Sequence, residues 1–338
     1  MRHSGVLITG AAGEIGHALV HNLRERGLPI VTLDLKPLDP EIAADVDRAY
    51  VGSILDTQLL DTILAEYKVT LIFHLAALLS TRSEFTPVVA HEVNVVGTLN
   101  LLEFAQAQAR SHGDPVTFFY PSSIAAFGLP DPETKTAAGL VAEDDYNTPT
   151  TMYGCNKLAC EHLGRYYAGH YKQLDAAAAT GSVSFRSLRF PGLISAFTTP
   201  SGGTSDYAPE MLHAAAKGEA YDCFARPDAR IPFMTMPDAV KAILQLTDAP
   251  ADSLTRQVYN LQAFNPSAEE IREIVVEHFP GAEIGFGLDP KRMAILDTWP
   301  AGCDDTAARE DWGYAPDHDL RTAFDEYLVP NIRAKYQG

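Results

Sequence analysis

Ser123, Tyr153 and Lys157 are the residues whose types and spacing could move a proton. The stretch MYGCNK (152–157) reads as helix, and four residues separate its tyrosine from its lysine, so both side chains share one face. A free phenol ionises near pH 10. A tyrosinate acting near neutrality needs a shift of about 3 units, or roughly 4 kcal/mol, and an adjacent ammonium supplies part of it. The spacing alone is weak, since about 0.4 such pairs arise by chance in a chain with this many tyrosines and lysines. Ser122 and Ser123 close the β-rich run VTFFYPSS (116–123), where a serine is otherwise an ordinary loop residue. A serine at a strand end followed by a Tyr/Lys helix is a general-base constellation: the serine holds a hydroxyl while the phenolate takes its proton.

The elements around these residues must form a doubly wound α/β sheet. Short β-rich runs stand at 6–10, 30–34, 49–52, 70–76, 116–123 and 183–190. They lack polar alternation, as strands buried on both faces do. Helical patterns such as EIGHALVHNLRERG and the segment around NVVGTLNLLEFAQAQA lie between them. That order predicts a Rossmann-type parallel sheet with right-handed crossovers over residues 1–190. Residues 191–338 read as a smaller, mostly helical substrate lobe, with VYNL (258–261) as a strand returning to the main sheet. The stretch 171–182 reads as a surface excursion. In an open parallel sheet ligands bind at the carboxyl ends of the strands, where Ser123 falls.

GAAGEIG (10–16) follows the first strand and opens the first helix. Gly10, Gly13 and Gly16 let the backbone turn and approach a pyrophosphate, and the helix start supplies N–H donors. Asp34 ends the second strand, where a carboxylate holds ribose hydroxyls. A 2′-phosphate there would meet repulsion on the order of 4 kcal/mol per charge pair, which favours NAD over NADP. Lys36 nearby works against that preference or is a solvated surface charge.

Composition removes other classes. A net charge of −18 disfavours nucleic acid and anionic membrane surfaces. LIFHLAALL is too short to span a bilayer, and the N-terminus completes no signal-peptide pattern. Cys155, Cys160, Cys223 and Cys303 form no CxxC pair, so they read as free thiols of a reducing cytoplasm, and no Cys/His spacing predicts a metal.

Taken together the motifs resemble the extended short-chain dehydrogenase/reductase superfamily, and within it the short-chain type of L-threonine 3-dehydrogenase. HLAALLS (74–80), MYGCNKLACEHLGRYY (152–167), LRFPGLIS (188–195), SGGTSDYA (201–208), MTMPDA (234–239) and LDTWPAGCDDTAAREDWGY (296–314) carry that resemblance. It implies oxidation of L-threonine by NAD+ to 2-amino-3-oxobutanoate, a step of threonine catabolism. It implies that Gly10, Gly13, Glu14, Ile15, Gly16, Asp34, Leu35, Ser53, Ile54, Leu75, Ala76, Ala77 and Leu193 line NAD, with Tyr153 and Lys157 on the nicotinamide ribose. Ser80, Ser123, Tyr153, Ser205 and Asp206 would surround the amino acid, with Asp206 opposite its ammonium. An Asp beside glycines is otherwise a turn or cap residue. Ser205 stands where the family usually has threonine, Ser53 where an acidic residue often contacts adenine, and Arg82 in a stretch the family fills with small residues. The family also implies a homodimer on helices near 91–109 and 152–170.

Two other functions fit parts of this pattern. A nucleotide-sugar epimerase or dehydratase uses the same Ser, Tyr and Lys and returns the hydride, so it produces no net NADH. A dinucleotide-sensing regulator needs the glycine turn without the Tyr/Lys pair.

Overall fold

The first strand, His3–Thr9, is exposed at its start and buried over its last five residues, and it lies inside a sheet of seven. The computed structural model describes residues 2–175, 182–200 and 202–337. From one edge, the sheet runs Val258–Asn260, Val183–Phe190, Val116–Ser123, Tyr67–His74, His3–Thr9, Ile30–Asp34 and Arg48–Val51. The sheet is parallel, with Val6 beside Ile30 and Leu7 beside Ile72 in register. The strand expected at 70–76 occupies Tyr67–His74. Residues 176–181, within the expected excursion, lie outside the described residues.

Helices cover this sheet for local reasons. Helix Glu14–Glu25 buries Gly16, Leu19, Val20 and Leu23, the stripe its 3.6-residue period dictates. Helix Thr57–Glu66 starts at Asp56, whose carboxylate accepts from the N–H groups of Gln58 and Leu59. The helix read around 94–109 is two pieces, a π-helical turn at Glu92–Val96 and an α-helix at Gly97–His112. The described residues hold more strand than the sequence pattern announced. Three two-stranded sheets pair Gly192–Ile194 with Phe233–Thr235, Tyr221–Cys223 with Ile284–Phe286, and Leu140–Val141 with Gly302–Cys303. Segments of two or three residues are too short for any periodicity to appear in sequence.

The chain forms two compact units. One comprises Met1–Ser122, Asn156–Leu188 and Ile243–Val258, and the other Ser123–Cys155, Arg189–Ala242 and Tyr259–Gly338. Each has its own apolar core, the first around Leu7, Val31, Ile72 and Phe118, the second around Tyr207, Phe233, Ile271 and Phe324. No helix among the described residues is long and apolar enough to cross a membrane.

Candidate active site

In the first unit, the glycine turn is built for close approach. Gly10 has φ +73°, and a Cβ there would come within 2.7–2.9 Å of the Ala76 nitrogen and Cα and the Leu75 carbonyl carbon. A Cβ on Gly16 would fall 2.4–2.6 Å from the backbone of Ala11, so only glycine lets the helix seat on the turn there. A Cβ on Gly13 would meet only the Gly10 oxygen, at an ordinary 3.6 Å. No side chain caps the helix at Gly13. The Asp34 carboxylate reaches back to accept from the Ala12 N–H at 3.1 Å, tying the second strand's end to the glycine turn. Leu75 N–H donates to the Thr9 carbonyl, and Leu78 is held on both its N–H and its C=O by the Asn94 amide.

A constricted turn, an uncapped twelve-residue helix start and a carboxylate at the second strand's end are a donor set that fits a dinucleotide. Gly10→Ala tests that fit. Both the strained φ and the clash are with backbone, so a loss of about 2 kcal/mol or more is expected. Thermal unfolding should show a lower Tm, and the shift that NAD+ gives the wild type should disappear.

The other expected cofactor residues have mixed surroundings. Leu75, Ala76, Ala77, Glu14 and Ile15 are half-buried beside the turn, and Leu35 and Lys36 are exposed. The Ser53 hydroxyl accepts from the Leu55 N–H. Ile54 is buried against Gly97, and its carbonyl accepts from Asn100. Leu193 lies in the second unit, paired with Met234. Ser80 is the first residue of helix Ser80–Phe85, and Arg82 on that helix is exposed.

Ser123 ends its strand in extended backbone, its hydroxyl accepting from the Ala125 N–H at 3.1 Å. Tyr153 sits at the start of helix Met152–Gly169 in the same unit. Gly154 explains how that helix start is set: a Cβ there would lie 2.0 Å from the Ala125 carbonyl oxygen. The helix therefore packs backbone to backbone on the turn that follows Ser123. Its first turn is fastened by Thr151, which accepts from the Gly154 N–H through its hydroxyl. Burial pushes the Tyr153 phenol above its ordinary value.

One turn further, Lys157 is 3% exposed. Its ammonium donates to the Pro121 carbonyl at 2.5 Å and lies 4.7 Å from the centre of the Tyr120 ring. Burial lowers it to about 8, against the opposing pull of Cys160 and Glu161. His74, beneath this region, bridges the hydroxyls of Thr9 and Thr98 at 2.8 and 2.9 Å and is pushed down to about 3 by burial and then by Lys157. It is a neutral imidazole, and nothing in its sequence context announced the bridge.

Asp206 accepts from the Gly203 N–H at 2.7 Å and precedes helix Tyr207–Lys217 without capping it. The Gly203 carbonyl accepts from Arg292, whose guanidinium stacks 3.3 Å from the Phe224 ring centre. Ser205 is half-buried in the same turn. Sequence reasoning missed Arg292, Gly154, Asn94 and Glu161; each is defined by a partner many positions away, which gives no local signal. Among the described residues no three His, Cys, Asp or Glu side chains converge as a metal site would require.

The sequence profile of the NAD dependent epimerase/dehydratase family matches residues 6–261. The mitochondrial L-threonine 3-dehydrogenase of Bos taurus is 37% identical over 316 residues, 93% of this chain and 79% of that protein. The solved L-threonine dehydrogenase of Clostridium difficile superposes with a TM-score of 0.85 at 32% identity, covering 100% of both chains. A monomeric L-threonine 3-dehydrogenase from a metagenome superposes with a TM-score of 0.84 at 34% identity, covering 98% of this chain and 99% of its own. The chain belongs to the NAD dependent epimerase/dehydratase family, extended short-chain dehydrogenases and reductases whose cofactor is NAD.

Proposed function

We propose that this enzyme oxidises the 3-hydroxyl of L-threonine to 2-amino-3-oxobutanoate with Tyr153 as general base. The observation that carries the reading is the buried ammonium of Lys157, one helical turn beyond Tyr153, on a helix that Gly154 seats against the turn after Ser123. Similarity to threonine dehydrogenases over nearly the whole chain supports the choice of substrate.

Gly10, Gly13, Gly16 and the start of the first helix would hold the pyrophosphate of NAD, and Asp34 the adenosine ribose. Glu14, Ile15, Leu35, Ser53, Ile54, Leu75, Ala76, Ala77 and Leu193 would line the remainder. Bound NAD+ supplies the two-electron acceptor for the hydrogen on the substrate carbinol carbon. The Ser123 hydroxyl, which accepts from Ala125, keeps its own proton to donate to the substrate oxygen. The Tyr153 phenolate takes the proton of that oxygen, and Lys157 stabilises the phenolate. Ser80, Ser205 and Asp206 hold the zwitterion, the Asp206 carboxylate against the ammonium.

Asp206→Asn tests the last assignment. Asparagine keeps an oxygen for the Gly203 N–H, so the turn survives while the charge is lost. A charged hydrogen bond is worth about 1.5–3 kcal/mol, so KM for threonine should rise about 10- to 100-fold. KM for NAD+ should stay within about threefold. Equal effects on both would remove Asp206 from the substrate site.

The test of the function is NADH formation from NAD+ and L-threonine, with D-threonine, L-allo-threonine and L-serine as controls. Saturable NADH selective for L-threonine supports the proposal. No net NADH, with NAD released only on denaturation, would overturn it in favour of a nucleotide-sugar epimerase or dehydratase.

We assign the enzyme to the cytoplasm, supported by its four free cysteines, of which Cys155 is exposed. A homodimer is supported by the exposed apolar side chains Phe85, Val88, Val89, Val96 and Tyr166 in the first unit, Phe85 at 82%. Light scattering should give twice the mass of one chain; a single-chain mass across micromolar concentrations would exclude the dimer.

A further inference from the structure

Glu161 is fully buried on helix Met152–Gly169, one turn beyond Lys157, and the reaction proposed above gives it no part. Its carboxylate accepts from the Ser122 hydroxyl at 2.5 Å. The strand Val116–Ser123 lies between Val183–Phe190 and Tyr67–His74, and on the second side such an anchor extends the ladder. Its register with the strand Tyr67–His74 ends at the Phe73–Phe119 pair. Tyr120, Pro121 and Ser122 run past that last pair, and Pro121 has no N–H to offer a ladder. The helix contacts all three. Lys157 lies over the Tyr120 ring and donates to the Pro121 carbonyl, and Glu161 takes the Ser122 hydroxyl. Ser123 is the next residue.

We propose that Glu161 is a positioning residue: its buried carboxylate fixes the strand end that carries Ser123 and, one helical turn from Lys157, is a counter-charge to that ammonium. This rests on the proposed roles of Ser123 and Lys157. Most of the groups seen to face Lys157 carry no charge, whereas Glu161, one helical turn along on the same face, carries one. From the strand Val116–Ser123 come the Tyr120 ring and the Pro121 carbonyl, which carry no charge. From the strand Tyr67–His74 comes His74, held neutral by burial. On its own helix lie Tyr153, a phenol raised by burial, and Cys160, a buried thiol raised likewise. Burial works against the ammonium; of the two groups that favour it, Cys160 and Glu161, the thiol is itself raised by burial and so uncharged near neutrality, and the Glu161 carboxylate remains.

The experiment follows the titration of Lys157 by NMR of protein labelled at lysine Cε, with the signal assigned by its loss in Lys157→Met. It also follows kcat and kcat/KM against pH. In Glu161→Gln the midpoint of Lys157 should fall by about one unit. Since the charged form is then lost at lower pH, the alkaline decline of kcat/KM should move down with it. Glu161→Asp keeps the charge but shortens the reach to Ser122, so it should restore the midpoint while kcat stays about tenfold low. Ser122→Ala should lower kcat with the Lys157 titration unmoved. A Glu161→Gln protein with wild-type titration and pH profile overturns the electrostatic part. Should that variant fail to fold, a Glu161→Asp protein with a midpoint a unit low overturns it too. Wild-type kcat in Ser122→Ala overturns the positional part. Absence of threonine turnover by the wild type would defeat the proposed function alone, because the NMR titration requires no substrate.

Discussion

Tyr153→Phe should lower kcat by about a thousandfold while the Kd for NAD+ stays within about threefold. Phenylalanine keeps the ring that packs against the core of the second unit and removes only the hydroxyl. The size of the effect follows from what the phenol has to overcome. Ionising an ordinary tyrosine near neutrality costs about 4 kcal/mol, and burial adds to that here. A unit charge 5–6 Å away, the separation of neighbours one helical turn apart, returns about 3 kcal/mol at an effective dielectric near 20. Lys157 therefore falls short alone, and the positive nicotinamide of the oxidised cofactor has to supply the remainder. The acid limb of kcat should accordingly lie below that of the tyrosine titration in the enzyme without NAD+. NADH absorbance gives kcat, and calorimetry gives the Kd. Activity within a few-fold of wild type would remove Tyr153 as the base.

The parts of this molecule that could be read in its sequence are those governed by local rules. Burial on both faces leaves the runs at 30–34 and 183–190 without clean polar alternation, and both strands lie where the runs do. The turn at 10–16 requires glycine at Gly10 and Gly16 because a Cβ at either would fall within 3 Å of backbone atoms, so its constraint is written in residue types. The placement of the candidate residues was legible to the same degree: Ser123 ends its strand, and Tyr153 and Lys157 stand one turn apart on one helix, as element order and spacing predict. What could not be read depends on partners distant in sequence. Glu161 meets Ser122 across 39 positions and His74 meets Thr9 across 65, and no spacing rule reports such pairs. The turn holding Ser205 and Asp206 depends on Arg292, 89 positions from Gly203. The short strands at 140–141 and 302–303 exist because tertiary packing brings them together.

Lys157→Met should cost about as much activity as loss of Tyr153, about a thousandfold in kcat/KM, and below pH 8 should leave the fold as stable as before or more so. The two expectations have one cause. An ammonium that is 3% exposed and lowered to about 8 by burial is a charge the folded state holds at a disadvantage. From its ordinary value near 10.5 down to about 8, the unfolded chain binds the proton more readily than the folded one, so this group's penalty is largest below pH 8 and fades as pH rises toward 10.5. Methionine removes that penalty and fills similar volume, at the cost of the donor to the Pro121 carbonyl, a net hydrogen bond worth about 1 kcal/mol. Below pH 8 the gain should equal or exceed that loss; near pH 10 the variant should be the less stable of the two. Thermal unfolding at pH 6.5 and pH 10, beside turnover at pH 8, measures all three quantities. A variant that loses activity only because it unfolds would be destabilised at both pH values. A variant that keeps its activity would show that the phenolate does not depend on this cation. A lysine retained at a net disadvantage to the fold is explained by chemistry, because packing alone would be served as well by methionine.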